Sequence, residues 1–325
     1  MAWGFKQTLR VAAVYYVGLG MCLPLKALAA SVNLDGLVGY DELLQGSEVH
    51  MEPAQAQRIL SEADAGIPES QYLAGLVTLY GGHGVEVNHK KSLEYFRAAA
   101  DQGHLGAQTN AALMLLRGVG APVNNIQAAH WFRIAAEKNN ADAQWMLGRM
   151  YYDGIFGKKR DGHPNMRSAL EWFQRSAENG NAQGQLNYAI MHEYGLGGVT
   201  VDYARAAELY KLASDQGEAL ATYYGGILHL YGRGCPQDFK VAAGMIQAAA
   251  RKGVPQAMNT LGKLHTHGQG VERNYRLALV WFRRAEQSTP DQDPVHQEAS
   301  TFRLEVQAFL KEVDAQMKET RSTYL

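Results

Sequence analysis

The chain has 325 residues, 46% of them hydrophobic and 19% charged, with a formal net charge of −1 at pH 7. That balance supports a packed core and excludes an extended disordered chain. Near-neutrality excludes the general affinity for nucleic acid that a strongly basic face would give.

In chain order, residues 1–30 read as a cleaved secretory leader. Lys6 and Arg10 precede the apolar run "VAAVYYVGLGMCLPL" (11–25), and "KALAAS" offers small residues at −3 and −1 for cleavage after Ala29. Cleavage after Ala30 would instead put Leu28 at −3. The run is short for a bilayer span, so the expectation is export without stable membrane insertion afterwards. An uncleaved membrane anchor is the competing reading. Met21 stands where a lipid anchor on Cys22 would want a small residue. Without residues 1–30 the chain keeps 28 bases against 32 acids. Cys235 is then its one cysteine, which argues against a disulfide framework and for a packing role.

Residues 31–53 form an N-terminal segment. The stretch "AQAQRILSEADAG" (54–66) follows, an orphan helix in which Leu60 lies 36 residues before Phe96. A repeat then begins at Ser70 and restarts at Ala107, Ala143, Gly184, Ala221 and Ala257, with spacings of 37, 36, 41, 37 and 36. Eleven steps into the units stand Gly81, Gly118, Gly154, Gly195, Gly232 and Gly268. Each ends a first helix, because glycine adopts a left-handed cap without a steric penalty. Five steps in, Gly75, Ala112, Gly148, Ala189, Gly226 and Gly262 let a second helix approach closely.

That second helix carries an aromatic or large apolar pair at a fixed phase: Tyr95-Phe96, Trp131-Phe132, Trp172-Phe173, Leu209-Tyr210, Met245-Ile246 and Trp281-Phe282. A small residue follows three places on, so both share one helical face. Gly103, Asn139, Gly180, Gly217 and Gly253 stop the second helices. Such a unit cannot bury its apolar face alone, so the units must stack. Residues 290–325 predict a capping helix and tail with Val295, Ala299, Phe302, Val306, Phe309 and Val313 on one face. A partner-binding role for that helix is the competing reading.

The opening A-x-x-x-L-[GA]-x-x-Y-x-x-G-x-G, followed by A-x-x-[WY]-[FY]-x-x-A-x-x-x-G, resembles the Sel-one-like repeat, a relative of the tetratricopeptide repeat. The likeness covers about residues 54–289 and implies an all-α, right-handed superhelical solenoid of six helix–turn–helix repeats. The chain departs from the pattern in three ways. His192, His229 and His265 replace the usual tyrosine, "GKKRDGHPN" (157–165) is inserted, and the disulfide pairs of some secreted relatives are missing.

No P-loop, G-x-S-x-G, H-E-x-x-H or C-x-x-C string is present, and "GLGG" (195–198) falls at a repeat turn. His192, His229 and His265 recur one per unit, about 10 Å apart if their helices pack at ordinary distances, too far to share one zinc ion. The expectation is therefore no catalysis, no cofactor and no metal. First helices of such solenoids line a concave face, and there the variable steps are rich in Tyr, Trp and Arg, as binding hot spots are. The candidate partner-binding residues are Tyr72, Tyr80, Trp145, Arg149, Tyr152, Tyr194, Tyr223, Ile227 and Tyr231. The basic insertion Lys158-Lys159-Arg160 reads as a solvated loop, with a charged rim contact as the alternative.

Exported bacterial proteins of this family imply a protein partner and a periplasmic or secreted location. The resemblance points first to an immunity protein that neutralises a phospholipase-type toxin delivered by the type six secretion system. Envelope or polysaccharide-export scaffolding and host-protein binding are the alternatives. An enzyme acting on cell-wall material is disfavoured by the missing nucleophile–base pair.

Overall fold

The computed structural model describes residues 53–81, 84–158 and 162–323, with side chains described to 316. The leader, most of the segment before the repeats, and Lys159 and Arg160 lie outside the described residues. The helices form two compact units divided after Asn179. Unit 1 holds α1 (Pro53–Asp64), α2 (Pro68–Tyr80), α3 (His89–Asp101), α4 (Leu105–Arg117), α5 (Asn125–Glu137), α6 (Ala141–Tyr152) and α7 (Met166–Glu178). Unit 2 holds α8 (Ala182–Tyr194), a 3-10 turn (Leu196–Gly198), α9 (Tyr203–Asp215), α10 (Ala219–Tyr231), α11 (Phe239–Arg251), α12 (Pro255–His267), α13 (Tyr275–Gln287) and α14 (Pro294–Thr323). Within each unit every helix packs on the next, the all-α solenoid arrangement expected from the repeat.

The phased residues explain the packing. Phe96, Phe132, Phe173, Tyr210, Ile246 and Phe282 are all fully buried, as are the small residues three places on. A β-carbon at Gly75 would stand 2.6–2.9 Å from the Phe96 ring, so the fifth step sets how closely paired helices approach. All six glycines at the eleventh step have positive φ, between 63° and 72°. In unit 1 one hydrophobic core cluster takes in residues from Tyr72 to Met150.

Two polar series hold the same register. The six second helices of the repeats begin at Asn88, Asn124, Asn165, Asp202, Asp238 and Asn274, whose side chains accept from a backbone N–H in the first turn. Each such cap contributes about 1 kcal/mol. Five of these residues also donate their own N–H to the first helix of the unit, for example Asn88 to Thr78 at 2.7 Å. One step into the units stand Gln71, Gln108, Gln144 and Gln185, all buried. Gln144 donates to the Ala136 carbonyl at 3.0 Å and accepts from Asn179 at 2.8 Å, tying successive second helices through one amide. Gln71 repeats this with Ala63 and Gln102.

At the two ends, α1 packs on α2 and α14 on α13. Ile59 and Leu60 of α1 pack on Ala63, Ala74 and Tyr95. On α14, Val295, Ala299 and Val306 are buried, and Phe302 stacks on Phe282 at 5.9 Å. Phe309 lies 4.9 Å from Tyr275 but stays 44% exposed. Tyr275 is the first residue of α13, so the helix it packs against ends there and cannot cover the next turn of α14.

Candidate partner-binding site

The candidates from spacing divide between the two units. In unit 1, Tyr72 stacks on His104 at 4.3 Å and is 8% exposed. Tyr152 lies 6.2 Å from the Phe173 ring and is 9% exposed. Both are core residues, which corrects their assignment to an accessible face: a first helix has neighbours on several sides, and these steps point into them. Leu76, Leu79, Leu113 and Leu116 at the other variable steps are buried for the same reason. Tyr80 and Trp145 are half-buried, and the Trp145 indole N–H is shielded without a hydrogen-bond partner. Arg149 pairs with Asp153 on its own helix at 3.2 Å.

Just before the inserted segment lies a cluster that spacing missed. Tyr151 and Phe156 meet edge to face at 5.6 Å, and Arg133 both donates to the Tyr151 hydroxyl at 3.2 Å and lies over the Phe156 ring. It is satisfied within the unit. Elsewhere in unit 1 an open cleft of about 500 Å3 is bordered by Asp64, Lys91 and Tyr95. There Tyr95 donates to Asp64 at 2.8 Å, and burial with that bond pushes its hydroxyl pKa up to about 12.

Unit 2 is different. Glu193, near the end of α8, is 4% exposed and accepts from the fully buried Tyr210 of α9 at 2.6 Å. Burial holds its carboxyl above the usual range, opposed by the Tyr210 hydrogen bond, the Arg233 charge and a Tyr194 hydrogen bond. The same burial, with the Glu193 charge, raises the Tyr194 hydroxyl. Tyr210 stacks on Tyr224 at 5.4 Å, and Tyr224 meets Tyr223 at 5.3 Å. The Tyr223 hydroxyl lies 3.3 Å from the Thr260 hydroxyl.

At the rim, Tyr231 closes α10 and is 58% exposed. The guanidinium of Arg233 lies 5.3 Å from the Tyr231 ring centre and 5.6 Å from that of Tyr203. Of the residues chosen from spacing, Tyr194, Tyr223, Ile227 and Tyr231 therefore lie on the two adjacent first helices of this unit, Tyr194 touching Glu193. Tyr203, Tyr210, Tyr224 and Arg233 were missed as members. Their visible signal was a departure from the repeat, since Arg233 fills a G-x-G step that holds Val119 and Gln269 elsewhere.

Chemically, this arrangement offers aromatic surface and an exposed cation. Cys235 comes within 3.5 Å of His229 Nδ1, and partial burial raises the thiol pKa. Among the described residues no His, Cys, Asp and Glu side chains converge as a metal site. No described helix is long and apolar enough to cross a membrane.

The family described as "Sel1 repeat" matches six consecutive segments, 68–104, 106–140, 141–181, 182–218, 219–254 and 255–288. Among solved structures the chain is similar to a Sel1 repeat protein from Oxalobacter formigenes. The two share 28% identity at a TM-score of 0.62, over 70% of this chain and 88% of that one. It is also similar to c5321, a protective antigen of uropathogenic Escherichia coli strains displaying an SLR fold. That likeness has 25% identity and a TM-score of 0.55, over 86% of this chain and 65% of that one. The immunity protein Pa5087 from Pseudomonas aeruginosa is more distant, at 15% identity and a TM-score of 0.42 over 68% and 81% of the chains, and carries no functional argument. Comparison with curated protein sequences gave no match.

Proposed function

This chain belongs to the Sel1 repeat family, and on that premise we propose that it is a non-catalytic solenoid that grips a protein partner with unit 2. The observation that carries the proposal is the set Tyr194, Tyr223, Ile227, Tyr231 and Arg233 built over the buried Glu193–Tyr210 bond. Tyrosine and arginine on a rigid base are the residues that dominate binding energy at protein interfaces. Sel1 repeats themselves indicate protein partners.

The finer reading is a periplasmic immunity protein whose partner is a phospholipase-type toxin of the type six secretion system. The leader-like residues 1–30 support export, and blocking a toxin needs surface but no chemistry. The choice among exported roles rests on analogy with the family.

The test is capture from envelope extract by the full chain and by a variant carrying Tyr194→Ala, Tyr223→Ala and Tyr231→Ala. The expected result is one stoichiometric partner, lost in the variant while helicity is unchanged. A partner held equally by both proteins would overturn the unit 2 assignment. For the finer reading, the partner should hydrolyse phospholipid alone and fall silent at stoichiometric chain. A partner that stays active when saturated, or has no such activity, contradicts it.

A further inference from the structure

We infer that Arg233 is the specificity-determining residue of the unit 2 face and takes an Asp or Glu side chain presented by the protein partner. The inference rests on the partner-binding reading and deepens it. Gly232 and Gly234 flank Arg233 with φ of 63° and 70°. A β-carbon at Gly234 would collide with the Tyr203 carbonyl, so the loop is pressed onto the start of α9. Backbone geometry therefore fixes where Arg233 leaves the chain. The rings of Tyr203 and Tyr231 then flank its guanidinium from two different helices. That contact reduces the freedom an arginine loses on binding and leaves the hydrogen-bonding edge of its fork available.

Its charge is unspent. Among the described residues no carboxylate lies within ion-pair distance of Arg233. Glu193 feels its charge, but the Glu193 carboxylate is buried and engaged by Tyr210. On α9, Arg205 and Lys211 instead pair with Glu208 and Asp215 at 2.9 Å and 2.6 Å. The face therefore presents tyrosine rings around one exposed guanidinium fork, the geometry that receives a carboxylate through two parallel hydrogen bonds.

A phage-displayed random peptide library panned against the immobilised full chain tests this without knowing the partner. The selected pool should be enriched in Asp and Glu. Its binding should fall about tenfold or more in Arg233→Gln, further in Arg233→Glu, and should be recovered only in part by Arg233→Lys, which lacks the fork. Circular dichroism should be unchanged, because Arg233 is exposed. A pool without acidic enrichment overturns the inference. A pool retained by Arg233→Gln but lost in the Tyr223→Ala, Tyr231→Ala variant overturns it too, while leaving the partner-binding reading intact. Failure to select any peptide on the wild-type chain counts against both.

Discussion

The two units share one repeated backbone and differ in what fills the inner steps of their first helices. In unit 1, Leu76, Leu79, Leu113 and Leu116 occupy the sixth and ninth steps of the first two repeats, each 5% exposed or less, and Arg149 and Tyr152 occupy those of the third. In unit 2 those steps hold the buried Ile190 and Leu230, but also the buried Glu193 and the half-buried Ile227, and Tyr194 and Tyr231 follow Glu193 and Leu230 in sequence. A fully buried aliphatic side chain at such a step leaves nothing for a partner. A carboxylate there must be hydrogen-bonded, because an unpaired buried charge is strongly unfavourable. The tyrosines that satisfy and surround it extend the aromatic network to the surface. On the proposed function, one scaffold yields a structural unit and a recognition unit by changing a few residues per repeat.

The largest expected effect lies in the structural unit. Phe173→Ala removes a fully buried ring that packs against Gly148 and should lower stability by about 3–5 kcal/mol in denaturant titration. The affinity of the remaining folded protein for a captured partner should be unchanged. A fall in both would blur the division between the units. Tyr210→Phe removes one hydroxyl from the recognition unit. It should lower stability by about 1.5–3 kcal/mol, because Glu193 loses its short donor, and should also weaken capture. Full capture would detach the buried acid from the recognition face.

Gln144→Leu sharpens the contrast from the other side. It leaves the Ala136 carbonyl and the Asn179 amide without their partner, so about 1–3 kcal/mol should be lost with capture intact. The smallest effect is a pH slope. The folded-state pKa of Glu193 is raised, mainly by burial, so the folded chain holds that proton more tightly than the unfolded chain. Its stabilising contribution is present below the ordinary carboxylate range and is lost as pH rises through the folded value. Glu193→Gln keeps an acceptor for Tyr210 and should flatten that part of the melting-temperature profile above pH 4.5. An unchanged slope would mean that Glu193 is not the group responsible.

The fold was legible because steric requirements recur at one phase. Six glycines at the eleventh step could not be chance, and the structure places all six at positive φ. The Asn and Asp caps at 88, 124, 165, 202, 238 and 274 and the glutamines one step into four units carried the same register. They went unread because polar residues are common and their partners lie outside the local pattern. The site was legible only in part. Tyr72 and Tyr231 looked alike as aromatic residues on variable steps, yet one is 8% and the other 58% exposed. Helical phase gives an angle, whereas burial depends on which neighbours stand at that angle. Arg233 and Tyr203 meet because a loop of one repeat rests on the second helix of the repeat before it. Thirty residues separate them, and no local periodicity reports that contact.

Amide hydrogen exchange of the full chain, alone and saturated with its captured partner, tests the division of labour most directly. New protection confined to about residues 190–234, with unit 1 exchanging as it does in the free chain, is the expected result. Protection centred on Trp145 and residues 155–158, with residues 190–234 unaffected, would contradict it.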